Sequence, residues 1–162
     1  VIRKIIKNEK FLIIGSSLGA WIGLLQFQNF KKQIIGFIGI GSAPEFLDRL
    51  IWQKLKDDEK KLFLKKKFYM LKNDGYEYKI KLSFLKDGRK NKVLNRKINS
   101  KIPVFLIHGK KDDVVPINLS KKIFSIFTRA KKKMQIIKGG DHSLSRKGDL
   151  NKLANLIDEI IH

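Results

Sequence analysis

The sequence contains no cysteine, which excludes disulfide bonds and thiolate metal sites and is typical of proteins from a reducing compartment. It also lacks any apolar run of about eighteen residues, the length that predicts a transmembrane segment. The basic N-terminal stretch leads into an apolar segment of four residues, which is too short for a signal peptide. With 162 residues, of which 43% are hydrophobic, the composition predicts a cytoplasmic globular protein with a substantial core.

Acidic residues are scarce, because 15 Asp and Glu stand against 36 Lys and Arg and leave a net charge of +21. Such a charge raises the hypothesis of a nucleic-acid or membrane-surface binder. Only six of the basic residues are arginine, however, the residue that makes bidentate contacts with phosphates and bases. The lysines are scattered among many Ile and Asn residues, a composition that an AT-rich coding sequence produces. We therefore predict no specific nucleic-acid partner, while nonspecific attraction of acidic substrates or anionic lipid head groups stays open.

Strands and helices alternate at the two ends of the chain. Short apolar runs predict strands, and apolar residues spaced three or four apart predict helices between them. The predicted strands are residues 11–15, 34–40, 103–107 and 134–137, and the predicted helices are residues 17–30, 118–127 and 149–161. This alternation predicts an α/β fold with a mostly parallel sheet of about four strands and flanking helices.

The middle of the chain breaks this alternation. Two amphipathic helices are predicted at residues 45–55 and 58–71, followed by a turn at Asp74-Gly75. Residues 76–89 fit a strand and a helix equally well, and we interpret them as an extended entry into a short helix. We expect residues 43–101 to form a small helical cap over the ends of the strands. Residues 1–42 and 102–162 would then form the core.

The segment Gly15-Ser16-Ser17-Leu18-Gly19 matches the nucleophile-elbow pattern G-x-S-x-G at a junction between a strand and a helix. In this interpretation Ser17 occupies a strained turn, and the small residues Gly15 and Gly19 prevent collisions. The backbone N–H of Leu18 would act as an oxyanion donor at the start of the helix. The alternative is a glycine-rich turn with a serine helix cap. Only Ser17, and not Ser16, has the correct glycine frame.

An acid and a base follow the last two predicted strands. Asp112 lies in a turn closed by Val-Pro, where a catalytic acid would stand, whereas we interpret Asp113 as a turn or cap residue. The alternative is an ordinary Asp-rich turn that caps the next helix. His142 lies in a short loop after the fourth strand, from which it can reach the nucleophile. His108 would pack or hydrogen-bond in the acid loop, and His162 is the last residue.

Ser17, Asp112 and His142 therefore appear in the order Ser, Asp, His, each after a predicted parallel strand. This is the chain order of the α/β-hydrolases and differs from the orders of other serine hydrolase folds. The agreement of motif, order and position predicts a catalytic triad, which needs no metal.

The motifs GSSLGAW, LIHGKKDDVVP and GGDHSLSR resemble those of bacterial α/β-hydrolases. They are most similar to those related to a mitochondrial α/β-hydrolase-domain protein that acts as palmitoyl-protein thioesterase and acyl-glucuronide esterase. The resemblance implies hydrolysis of a small acyl ester or thioester, with Ser17 as nucleophile, His142 as base and Asp112 as orienting acid. It implies no metal or organic cofactor. The alternatives are a serine peptidase of the oligopeptidase type, or an inactive fragment that binds nucleic acid or membrane surfaces through its charge.

Members of this family have several strands before the elbow, and a loop after one of them donates the second oxyanion N–H. Only ten residues precede the predicted elbow strand here. We therefore expect an N-terminally truncated fold in which the elbow strand becomes an edge of the sheet. An exposed apolar edge of this kind predicts self-association.

Overall fold

The chain divides into two units: the first contains Val1–Pro44 and Val93–His162, and the second contains Glu45–Lys92. The first unit is built around a four-stranded parallel sheet. The structure is a computed structural model, and it describes residues 2–73 and 75–162. In chain order the elements are α1 (Ile2–Ile6), β1 (Phe11–Ser16), α2 (Leu18–Phe30), β2 (Ile34–Ile40), α3 (Asp57–Lys66), β3 (Phe68–Asn73), β4 (Tyr76–Lys81), α4 (Leu82–Lys90), β5 (Pro103–Gly109), α5 (Ile117–Ile126), β6 (Lys131–Ile137) and α6 (Lys147–Ile161). A π-helical turn (Leu47–Ile51) and a 3₁₀ turn (Trp52–Lys54) precede α3. None of the helices in the described ranges is long and apolar enough to cross a membrane.

The strand order in the sheet is β1-β2-β5-β6, and every neighbouring pair is parallel. The predicted α/β fold with about four parallel strands is therefore confirmed. The central strands β2 and β5 are almost entirely apolar because helices cover both of their faces. In the described part of the chain, β1 and β6 form the two edges. All four strands end at the same side of the sheet, which brings the loops that follow them together.

Helices pack against opposite faces of the sheet. Gly23 of α2 lies against Ile13 and Phe37, and Ile160 of α6 lies against Leu12 and Gly36. Because neighbouring residues of a strand point to opposite faces, these contacts place α2 on one face and α6 on the other.

Three buried aromatic rings fill the α2 side of the core. The ring centroids of Phe27 and Phe127 are 5.2 Å apart, and that of Phe37 lies 6.1 Å from Phe27 and 6.3 Å from Phe127. Phe27 packs edge to face against both other rings, which adds to the free energy gained by burial.

The second unit contains an antiparallel hairpin that the sequence patterns did not indicate. The helix predicted at residues 58–71 ends at Lys66, because Lys67 adopts a left-handed backbone with φ of 63°. The next six residues form β3 and pair with β4. The extended entry into a short helix, predicted at residues 76–89, corresponds to β4 followed by α4. Gly75 has the positive φ of a turn residue, while Asp74 of the predicted turn lies outside the described residues.

An ion-pair cluster ties the start of the second unit to its end. Arg89 Nε donates to Asp48 Oδ1 at 2.8 Å, and Lys92 Nζ lies 3.3 Å from Asp48 Oδ2. Burial of Asp48 acts to raise its pKa, but the hydrogen bonds from Arg89 and Lys92 outweigh it and hold the pKa below the usual range.

Residues 93–101, which the sequence assigned to the insert, lie in the first unit. Ile98 forms a bridge with Phe127, and its N–H donates to the carbonyl of Ile126.

Candidate active site

Ser17 lies between β1 and α2 in a strained backbone conformation with φ of 49° and ψ of −116°. Three backbone hydrogen bonds hold it there: its N–H donates to Ile40, and its carbonyl accepts from Ala20 and Ala43. Such a conformation costs about 1–3 kcal/mol and persists only where its surroundings enforce it. Ser17 is half-buried in this turn at the carboxyl end of the sheet, whereas Ser16 is the last residue of β1 and is exposed.

The two glycines of the predicted elbow differ in their surroundings. A Cβ at Gly15 would lie 2.6 Å from backbone atoms of Ala20, so no side chain fits there. A Cβ at Gly19 would meet nothing within 4 Å in the described part of the chain. The prediction that a glycine is needed to avoid a steric clash therefore agrees with the structure at Gly15 but not at Gly19. Leu18 is the first residue of α2, and the first N–H groups of a helix have no intrahelical acceptor.

Asp112 lies in the turn between β5 and α5, and its carboxylate is fully buried. Its Oδ1 accepts hydrogen bonds from the N–H groups of Val114 (3.0 Å) and Val115 (2.8 Å). These two donors fix the orientation of the carboxylate and compensate the burial of its charge. Asp113, which we interpreted as a turn residue, is exposed.

His142 follows β6 in a loop that a second aspartate stabilises. Asp141 Oδ1 accepts from the N–H of Leu144 at 3.0 Å and from the Ser143 hydroxyl at 2.9 Å. These two bonds hold the pKa of Asp141 below its usual range. Leu144 itself has a positive φ of 47°, and the Asp141 carboxylate stabilises this tight turn.

The structure brings the three predicted side chains together. His142 Nδ1 is 2.8 Å from Asp112 Oδ2, and His142 Nε2 is 3.0 Å from Ser17 Oγ. Because an ionised carboxylate only accepts hydrogen bonds, the proton of a neutral imidazole is on Nδ1, and Nε2 is free to accept from the Ser17 hydroxyl. This arrangement can remove a proton from the hydroxyl and make it a nucleophile. The imidazole is about a quarter exposed, with 25% of its surface accessible.

Three residues that support the candidate site were not identified from the sequence: Gly41, Gly109 and Asp141. Gly41 has φ of 47°, and a Cβ there would lie 3.1 Å from His142 Nδ1. A Cβ at Gly109 would lie 2.3 Å from the Asp141 carbonyl oxygen. No local pattern reveals such close approaches, because they involve loops distant in sequence. Asp141 did carry a signal, since an Asp two residues before a Ser is typical of a side-chain-stabilised turn.

The chain matches known hydrolases by sequence and by structure. Residues 85–161 match the family described as Phospholipase/Carboxylesterase. The mitochondrial palmitoyl-protein thioesterase ABHD10 is 28% identical over 153 residues in mouse and 27% identical over 152 residues in human, covering 93% of this chain in both. The chain spans about half the length of these curated relatives, 51% and 50% respectively.

Two solved structures superpose on nearly the whole chain. A protein from Agrobacterium vitis S4 described as a hydrolase gives a TM-score of 0.92, and mouse α/β-hydrolase domain-containing protein 10 gives 0.87. Both are 27% identical to this chain, and each match covers 99% of this chain and 65% of the other.

Proposed function

We propose that this chain, which is similar to α/β-hydrolases in fold and in sequence, is a serine hydrolase that cleaves carboxylic ester or thioester bonds. The observation that carries the proposal is the position of the His142 imidazole, 3.0 Å from Ser17 Oγ and 2.8 Å from Asp112 Oδ2.

In the proposed reaction, His142 Nε2 takes the Ser17 proton while Ser17 Oγ attacks the acyl carbonyl carbon. The tetrahedral intermediate then collapses to an acyl-serine, and His142 gives the proton to the departing alcohol or thiol. Water, deprotonated by His142, hydrolyses the acyl-serine and restores the hydroxyl. Asp112 keeps the proton of the resting imidazole on Nδ1 and stabilises the imidazolium that forms in each half of the cycle. The Leu18 N–H donates to the oxyanion.

The similarity to known hydrolases supports a proposal about the substrate class. The matched family is described as Phospholipase/Carboxylesterase, and the curated relatives are named palmitoyl-protein thioesterases. We therefore propose a small acyl ester or thioester as substrate, with no cofactor required by this chemistry. The absence of cysteine and the similarity of the motifs to those of bacterial relatives support a cytoplasmic enzyme of bacterial type.

A fluorophosphonate probe, which reacts with activated serines, tests the nucleophile. We expect the wild-type protein to be labelled, Ser17→Ala to lose the labelling, and Ser16→Ala, the matched control one residue away, to keep it. Labelling that survived in Ser17→Ala would contradict the assignment. Parallel assays with a p-nitrophenyl ester, an acyl thioester and a peptide amide then separate esterase and thioesterase activity from that of a peptidase.

The edge strand β1 supports a proposal about assembly. It carries no charged residue, and its Ile14 is 44% exposed, whereas the opposite edge strand β6 begins with three exposed lysines. Lysines on an edge discourage pairing with another chain, and an apolar edge favours it. We expect copies of this chain to associate through β1. A monomer at micromolar concentration in light scattering would contradict this expectation.

A further inference from the structure

His108 is a buried histidine that the proposed reaction does not use. It is the penultimate residue of β5, its exposed fraction is 0%, and both of its ring nitrogens have partners. Nδ1 is 2.9 Å from the hydroxyl of Ser120 in α5, and Nε2 is 3.0 Å from the carbonyl oxygen of Val115. A fully satisfied polar network in a core specifies one arrangement of the elements that it joins.

The partners of His108 determine its tautomer. The Val115 carbonyl can only accept a hydrogen bond, so His108 carries a proton on Nε2. In the neutral ring Nδ1 is then an acceptor, and the Ser120 hydroxyl can donate to it. Ser120 therefore holds the ring in the orientation that directs its N–H at the acid turn.

The Nε2 side of the His108 ring is linked to Asp112, the proposed catalytic acid, through Val115 and by direct proximity. Val115 accepts from His108 through its carbonyl and donates to Asp112 Oδ1 through its own N–H at 2.8 Å. In addition, His108 Nε2 lies 3.3 Å from Asp112 Oδ2, the oxygen that accepts from His142. The buried carboxylate is thus flanked by two imidazoles, one that reacts and one that does not.

We infer that His108 is a positioning residue, which holds the Asp112 carboxylate in the orientation that stabilises protonated His142. This inference rests on the proposed function. Without the His108 N–H the acid turn loses the hydrogen bond on the Val115 carbonyl, and Oδ2 loses the positive end of a neighbouring dipole. Loss of these interactions should lower the rate of the step in which the His142 imidazolium forms and should leave the affinity for substrate unchanged.

The test compares three variants in which the hydrogen bonds are removed or restored. His108→Leu removes both ring nitrogens, whereas His108→Gln keeps a donor near the Nε2 position. Ser120→Ala removes the hydroxyl that orients the ring. Ser125→Ala is the matched control, because its hydroxyl lies on the same helix and donates to the backbone carbonyl of Lys122 within that helix. Circular dichroism melting curves identify any variant that fails to fold.

The measurements are the rate of fluorophosphonate labelling and the kcat and KM for a p-nitrophenyl ester. We expect His108→Leu to lower kcat and the labelling rate by about tenfold, because the acid turn loses one neutral hydrogen bond and the Asp112 carboxylate a neighbouring N–H dipole. KM should change by less than about twofold, because ground-state binding is unaffected. His108→Gln should recover most of the loss, Ser120→Ala should show a smaller loss, and Ser125→Ala should match the wild type.

Three outcomes contradict these statements in distinguishable ways. Ser17-dependent labelling that is unchanged in both His108→Leu and Ser120→Ala would overturn the role of His108 alone. An equal loss in His108→Gln and His108→Leu, with both variants folded, would also overturn it, because a restored donor should restore the rate. Absence of Ser17-dependent labelling in the wild type would overturn the proposed function, and the catalytic role of His108 with it. If His108→Leu fails to fold, the labelling rates and kcat values of Ser120→Ala and His108→Gln test the role of His108 instead.

Discussion

Replacement of Gly109 by alanine tests how closely β5 and the loop between β6 and α6 (residues 138–146) must approach each other. A Cβ at this position would lie 2.3 Å from the Asp141 carbonyl oxygen and 2.5 Å from that of Gly140, whereas real Cβ contacts are essentially never below 3.0 Å. Both obstacles are backbone atoms, so no flexible side chain can yield. Gly140 is moreover held against the turn between β5 and α5, because its carbonyl accepts from the N–H of Lys111 at 2.8 Å.

The loop between β6 and α6 must therefore move away by about 0.7 Å, the difference between the 2.3 Å approach and the 3.0 Å limit. His142 follows Asp141 in the chain and moves with it, away from its 3.0 Å contact with Ser17 Oγ. A misplacement of about 1 Å can cost about 100-fold in rate, so we expect a loss of roughly 30-fold in labelling rate and kcat. Overpacking should also lower the free energy of unfolding by about 1–3 kcal/mol.

Stopped-flow labelling and urea unfolding measure the two effects separately. Gly148→Ala is the matched control, because it lies in the first turn of α6 and a Cβ there meets nothing within 4 Å in the described part of the chain. We expect this control to keep the wild-type rate and to gain up to about 1 kcal/mol in stability, since alanine is the better helix former. Wild-type labelling and stability in Gly109→Ala would refute the steric argument.

Three further substitutions probe the same unit. Asp141→Ala should lower the melting temperature at pH 7. Because the pKa of Asp141 is held below 3.8 in the folded state, the stabilisation by its carboxylate is present above about pH 4 and is lost as the pH falls through the lowered pKa. Melting curves of both proteins across pH 2.5–7 measure this, and a difference in melting temperature that persists in acid would contradict it. Gly41→Ala should slow labelling, because the new Cβ would lie 3.1 Å from His142 Nδ1 at a residue whose φ of 47° already disfavours a side chain; an unchanged labelling rate would argue against this. Phe127→Ala should cost about 3–5 kcal/mol in urea unfolding, because Phe127 is fully buried between two other rings, and a loss below about 1 kcal/mol would mean that the core collapses around the gap.

The sheet and the three predicted site residues could be anticipated because both depend on short stretches of sequence. A parallel strand buried on both faces is a continuous apolar run, as in β2 and β5, and Ser17, Asp112 and His142 each lie in the turn or loop after a strand. Since parallel strands end on one side of the sheet, the order of the motifs already predicts that the three side chains meet.

The hairpin and the supporting glycines could not be anticipated, because they depend on partners that are distant or equally compatible with another structure. Residues 68–70 are Phe, Tyr and Met, which occur in helices as well as in strands and so do not decide between the two. Only the left-handed turn at Lys67 and the pairing with β4 decide between the two. The close approach at Gly109 involves a loop about thirty residues later in the chain, and no property of Gly109 itself indicates it.

Because the site residues are far apart along the chain, the reactivity of Ser17 can report whether the first unit has folded. Ser17 and His142 are 125 positions apart, and β2 and β5 lie between the strands that carry them. Contacts between residues so distant in sequence form late in folding, so we expect the 3.0 Å contact to form only once the four strands have paired. Reactivity of Ser17 during refolding should thus appear after helix formation, together with completion of the sheet. A serine-directed probe would then report the time at which the whole first unit is assembled, independently of any substrate.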